Sequence, residues 1–190
     1  MDKPTLGFLG TGVVATALCQ SLGRAGYRIA AVHGRDSHRA RELALSLDGA
    51  RAAATRQEVA DESDLVVLAV SDDAIAAVAD SISWRQGGAV VHCNGAASLA
   101  LLQTAQRAGA DVGVFHPLQS FASAEQALRL IPGSAFRVEA SSDRLRGWLT
   151  NMAVSLGGRP LALSADPALY HVSAVLASNY LVTLLDLASG

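Results

Sequence analysis

An apolar, strand-like run at residues 5–9 leads directly into Gly10-Thr11-Gly12-Val13-Val14-Ala15, and a helical apolar pattern follows. This strand, glycine turn and helix constrain the chain more tightly than any other stretch. The first glycine permits a tight turn, and the second lets backbone approach a pyrophosphate. A small third residue, here Ala15, lets the helix pack close to the strand. The N–H groups and the positive dipole end of the helix then face the anion. Gly10, Thr11, Gly12, Val13 and Val14 are therefore expected to hold a dinucleotide.

The second strand-like run, residues 28–33, ends without a carboxylate and passes into Gly34-Arg35-Asp36-Ser37-His38-Arg39. An acidic residue at the end of this strand suits the ribose hydroxyls of NAD, whereas arginine suits the 2′-phosphate of NADP. Arg35, Ser37 and Arg39 therefore point to NADP as cofactor ahead of NAD. Asp36 remains as a residue that could serve a ribose.

Further along, apolar β-type runs alternate with helical patterns, as in repeated βα units. Strands are expected near 51–53, 64–70, 88–92, 112–115, 134–139 and 159–163. Helices are expected at 37–47, after the Thr55-Arg56-Gln57-Glu58 capping box, from Ser71, and at 97–109 and 141–156. Residues 166–188 read as a long helix, on the order of 35 Å. The expected fold is α/β: a doubly wound, mostly parallel Rossmann-type sheet over residues 1–164. The long C-terminal helix in residues 165–190 then begins a helical domain.

The chain is 51% hydrophobic and 17% charged, enough apolar material for a sizeable core, with the small and branched residues that a parallel sheet packs closely. A net charge of −2 leaves no basic footprint for nucleic acid or an anionic membrane. Residues 4–23 carry no charge, but glycines break the run, so neither a membrane span nor a targeting segment is expected. Cys19 and Cys93 lack metal-ligand spacing and read as reduced thiols of a cytoplasmic protein.

Ligands of such sheets bind beyond the carboxyl ends of the strands. There the sequence places Val70-Ser71-Asp72, His92-Cys93-Asn94 and His116-Pro117-Leu118-Gln119. Val70, Ser71, Asp72, His92 and Asn94 are read as cofactor contacts. Histidine donates a proton readily at neutral pH, so His116 and His171 are the candidate acids. Asn179, among apolar neighbours on the long helix, needs a polar partner and is grouped with them as a catalytic candidate. The only lysine is Lys3, before the first strand, so no lysine on the late helices can serve as acid or base. A metal site built from His92, Cys93, His116 and His171 lacks ligand spacing, and no metal is expected.

Taken in order, these motifs and Tyr170-His171 with Ala177-Ser178-Asn179-Tyr180-Leu181 resemble a bacterial family. It consists of Rossmann-like NADP oxidoreductases that carry a C-terminal helical domain of unknown function, within the 6-phosphogluconate-dehydrogenase-like superfamily. Cys93-Asn94 departs from the Thr/Ser-Ser pair of that pattern, yet keeps polar capacity. The resemblance implies hydride transfer between NADP and a small carbonyl or imine substrate, a 2-oxoacid being one candidate by analogy. It also implies a longer helical domain than this chain carries. A truncated form is therefore expected, or one that borrows a lid from a partner, with a homodimer formed through the apolar helix at 175–187. The alternative is a dinucleotide-binding module without turnover, acting as a sensor or partner subunit.

Overall fold

A computed structural model of the protein describes residues 2–161. The 165–190 unit, its long helix, the dimer surface expected on it, and the site candidates His171 and Asn179 lie outside these residues.

Among the described residues, eight strands form one sheet: β1 (Leu6–Leu9), β2 (Ile29–His33), β3 (Arg51–Ala52), β4 (Leu65–Leu68), β5 (Ala89–His92), β6 (Asp111–Pro117), β7 (Ala135–Ala140) and β8 (Arg159–Leu161). Their order across the sheet is β3-β2-β1-β4-β5-β6-β7-β8. Every pairing is parallel except that of β6 with β7. β1 and β4 sit centrally and are buried throughout, which is why they read as unbroken apolar runs rather than alternating ones. The chain leaves β1 toward β2 on one side and later returns to lay β4 on the other. The strand order reverses between β1 and β4, opening a crevice above their carboxyl ends.

Helices cover both faces. α1 (Val13–Arg24), α6 (Ala124–Leu130) and α7 (Asp143–Ser155) share a core with Phe8, Val67, Phe115 and Phe136. α3 (Arg56–Asp61), α4 (Ile75–Asp80) and α5 (Gln103–Arg107) close the opposite face over Leu9, Val66, Leu68 and Val90. α2 (Ser37–Leu45) packs beside β2 and β3. Phe115 and Phe136 stack across the antiparallel pair with ring centroids 4.9 Å apart.

The expected capping box forms with a shift of one residue on its return bond, to the residue before the N-cap Thr55. The Glu58 N–H donates to Thr55 Oγ1 (3.2 Å), while Glu58 Oε2 accepts from the Ala54 N–H (3.3 Å). Two expectations are corrected. The helix expected at 97–109 is a 3-10 turn, Leu99–Leu102, followed by only five residues of α5, because the preceding strap is held in an irregular path by side chains. The sequence reading also left α6 out. Ser123 Oγ accepts from the Gln126 N–H, and Gln126 Oε1 accepts from the Ala122 N–H, a box legible as Ser-x-x-Gln.

Candidate functional site: a cofactor cavity and a histidine strap

The turn after β1 has the geometry its glycines suggest. Gly10 sits at φ +121°, and a Cβ there would fall 2.1 Å from the Ala69 carbonyl oxygen. Gly12 is different: its φ is ordinary, and a Cβ would meet nothing within 4 Å. The fold does not require glycine at 12, whereas a ligand approaching the backbone does. Gly12 is the N-cap of α1 and supplies no side-chain cap, so the first-turn N–H groups keep their donors for a ligand. Gly34 faces this turn, and a Cβ there would strike Thr11 Cγ2 at 2.7 Å.

Above the turn lies a cavity of about 290 Å³. Of the expected cofactor residues, Gly10, Thr11, Gly12, Arg35, Val70 and Ser71 line it. Val13 and Val14 form the first turn of α1 and pack half-buried against the core. Ser37 borders a neighbouring recess with Ala40 and Arg41. Asp72 is exposed on a 3-10 turn, Asp72–Ala74, and is not among the lining residues. The lining also includes Arg39, which the sequence offers beside Arg35, and Arg56, Ala74 and Val78, which the sequence does not single out.

Arg35, Arg39 and Arg56 form no ion pair among the described residues. Asp36 is the one carboxylate lining the cavity among the described residues. Its Oδ1 accepts from the N–H groups of His38 (2.9 Å) and Arg39 (3.2 Å), capping α2. Those bonds hold its carboxyl below the usual range. The cavity thus offers a helix N-terminus and three guanidinium groups, which suits a ligand carrying several negative charges.

The polar residues after β5 and β6 form a separate cluster, outside the cavity lining. His92 is fully buried. Its Nε2 faces the Ser98 carbonyl at 3.2 Å, and its Nδ1 faces the Asn94 N–H at 3.2 Å. A carbonyl only accepts and an N–H only donates, so the ring is neutral with its proton on Nε2. Burial lowers its pKa and keeps it so. Both nitrogens are engaged in shaping the strap, leaving the ring without a donor or acceptor for cofactor. Asn94 Oδ1 accepts from Ala96 (2.7 Å) and Ala97 (2.9 Å), folding the strap on itself.

His116 is the more exposed histidine. Its Nδ1 lies 2.8 Å from the Cys93 carbonyl, so that nitrogen carries a proton. A Cβ on Gly95 would come within 2.5 Å of Nε2, so glycine there lets the imidazole lie against the strap. Opposite His116 in the β6–β7 ladder stands Arg137, fully buried and overlooked in the sequence reading. Its Nη1 donates to the carbonyls of Gly95 (2.8 Å) and Ala97 (3.0 Å), and its Nη2 pairs with Glu139 at 2.5 Å. Arg137 and Glu139 alternate with Phe136, Val138 and Ala140, so the strand's pattern reads Arg137 as a solvent-facing charge and gives no signal of its burial. Cys93 packs against the larger core, and desolvation pushes its thiol up to about 12. No group of three His, Cys, Asp or Glu among the described residues could hold a metal. Nor is any described helix long and apolar enough to cross a membrane.

Residues 5–95 match the model of a family described as NADP oxidoreductase, coenzyme F420-dependent, and residues 134–190 match that of a domain of unknown function, DUF2520. No curated protein matches. Among solved structures, a candidate NADP oxidoreductase from Bacteroides fragilis is 28% identical, with TM-score 0.81 over 98% of this chain and 71% of that one. Protein TM1727 from Thermotoga maritima is 27% identical, with TM-score 0.71 over 95% of this chain and 66% of its own. An imine reductase from Pseudomonas sp. shares the fold at 19% identity, TM-score 0.78, over 99% of this chain and 66% of that one. Together the family matches and structural neighbours indicate an NAD(P)-dependent oxidoreductase with a Rossmann-type sheet.

Proposed function

For a chain that joins an NADP-oxidoreductase-type dinucleotide domain to a DUF2520 segment, we propose NADP(H)-dependent hydride transfer to or from a small carbonyl or imine substrate. One observation carries the choice of cofactor: among the described residues, the glycine turn opens into a cavity lined by three arginines without an ion pair and by one carboxylate, which caps a helix. The turn fits a pyrophosphate, because Gly12 leaves the approach to the α1 N–H groups clear. Arg35, at the end of β2, meets the 2′-phosphate.

When bound, the reduced nicotinamide supplies the hydride to the substrate's carbonyl or imine carbon. The chain supplies position and the proton. His92, Asn94 and Arg137 fix the strap on which His116 rests, and His116 Nε2 holds the proton for the oxygen or nitrogen that gains the electron pair. His171 and Asn179 belong to the same proposal as further acid and substrate contact. A cytoplasmic location and a homodimer through residues 175–187 complete it.

The module without turnover keeps one observation in its favour: neither His92 nor His116 lines the cavity. NADPH oxidation measured across a panel of 2-oxoacids, aldehydes and cyclic imines separates the two. Turnover that falls at least tenfold in His116→Gln supports the reductase, and NADPH binding with no turnover supports the module.

A further inference from the structure

We infer that Arg56, contributed by α3, is a specificity-determining residue that contacts the 2′-phosphate of NADP(H) together with Arg35 and Arg39. The inference rests on the cofactor reading above and extends its site to a third βα unit.

Arg35 follows β2, Arg39 lies in the first turns of α2, and Arg56 opens α3, yet all three line one cavity. Elsewhere among the described residues, arginines occur both with and without a carboxylate partner. Arg51, five residues before Arg56, is neutralised by both Glu58 and Glu62, and Arg144 pairs with Asp111. Around the cavity none of the three has an ion pair among the described residues; Asp36, exposed at its rim beside Arg39, caps α2 through Oδ1 and offsets one of the three charges. Three like charges facing one space repel each other, and a phosphate of about −1.5 to −2 charge relieves that repulsion.

Arg56 is also held in place. Its Nη1 donates to Ser81 Oγ at 3.0 Å, and the Ser81 hydroxyl donates to the Val78 carbonyl at 2.8 Å. The guanidinium is thereby anchored at the end of α4, half-buried beside Val78, which itself lines the cavity. A tethered side chain loses less freedom on meeting a ligand than the exposed Arg35 and Arg39 do. Its remaining N–H donors suit phosphate oxygens in the forked geometry that guanidinium favours.

The test uses the full chain, calorimetry, and two probes that differ by one group: adenosine 2′,5′-bisphosphate and 5′-AMP. Arg56→Ala is expected to weaken the bisphosphate roughly 10- to 100-fold and to leave 5′-AMP unchanged. Arg56→Lys, which keeps the charge but not the fork, recovers part of the loss. Ser81→Ala, which removes only the tether, gives a smaller loss in the same direction. Equal losses for both probes in Arg56→Ala would assign Arg56 to the adenine or the 5′-phosphate and overturn the inference. Unchanged binding of both would overturn it too, while leaving Arg35 and the cofactor reading intact. If the unaltered chain binds neither probe, the cofactor reading itself fails, and this inference with it.

Discussion

Replacing Gly12 by alanine should separate ligand binding from folding. The position has φ −79°, and a Cβ built there meets no protein atom within 4 Å. Two small effects on stability oppose each other. Alanine is a poorer N-cap than glycine by some tenths of a kcal/mol, but it stiffens the unfolded chain by about 0.4–1 kcal/mol. The net change in unfolding free energy is expected to stay within about 1 kcal/mol. A bound pyrophosphate would occupy the space of the new methyl, and retreat would loosen one or two charge-assisted hydrogen bonds worth about 1.5–3 kcal/mol each. Binding of either dinucleotide should weaken at least about tenfold, because 1.4 kcal/mol is a factor of ten. Gly10→Ala is the internal contrast. Its Cβ would sit 2.1 Å from a backbone oxygen at φ +121°, so a stability loss of about 3 kcal/mol or more is expected. Urea unfolding and nicotinamide fluorescence on the same samples read both quantities. A folded Gly12→Ala protein that binds NADPH as tightly as the unaltered chain would refute the placement of the pyrophosphate.

Arg35→Ala should weaken NADPH roughly 10- to 100-fold and leave NADH nearly unaffected, measured by fluorescence titration; equal losses would remove Arg35 from the 2′-phosphate. His92 has a folded-state pKa below its ordinary 6.5, so the folded state resists a proton that the unfolded chain accepts. Its contribution is whole above about pH 6.5 and declines as pH falls toward the folded value. Unfolding free energy should therefore drop between pH 7.5 and 5.5, and His92→Gln should flatten that part of the curve. Phe136→Ala removes a fully buried ring stacked on Phe115 and should cost about 3–5 kcal/mol in a denaturant titration; a loss under 1 kcal/mol would contradict the packing.

The sheet was legible because its central strands are buried on both faces, and unbroken runs such as Leu65–Leu68 leave little ambiguity. Gly10 and Gly12 were legible because turn and ligand constrain backbone directly. What escaped depends on contacts between distant residues. Arg137 reaches the carbonyls of Gly95 and Ala97 across the fold, and that strap in turn shortens the helix expected at 97–109. No local pattern reports such a bond. His92 illustrates the converse. Its position at a strand end suggested a ligand contact, yet burial and two backbone partners give it a place in the strap. Arg56 was visible only as part of a capping box, because its approach to the cavity depends on how α3 meets α4. The small α6 was within reach through its Ser123 and Gln126 box.

The central claim is that the cavity above the glycine turn holds NADP(H). Titrating the purified chain with NADPH and with NADH, followed by nicotinamide fluorescence, tests it most directly. The account predicts saturable NADPH binding at least roughly tenfold tighter than NADH binding. Equal affinity for the two would contradict the role given to the arginines, and binding of neither would contradict the claim itself.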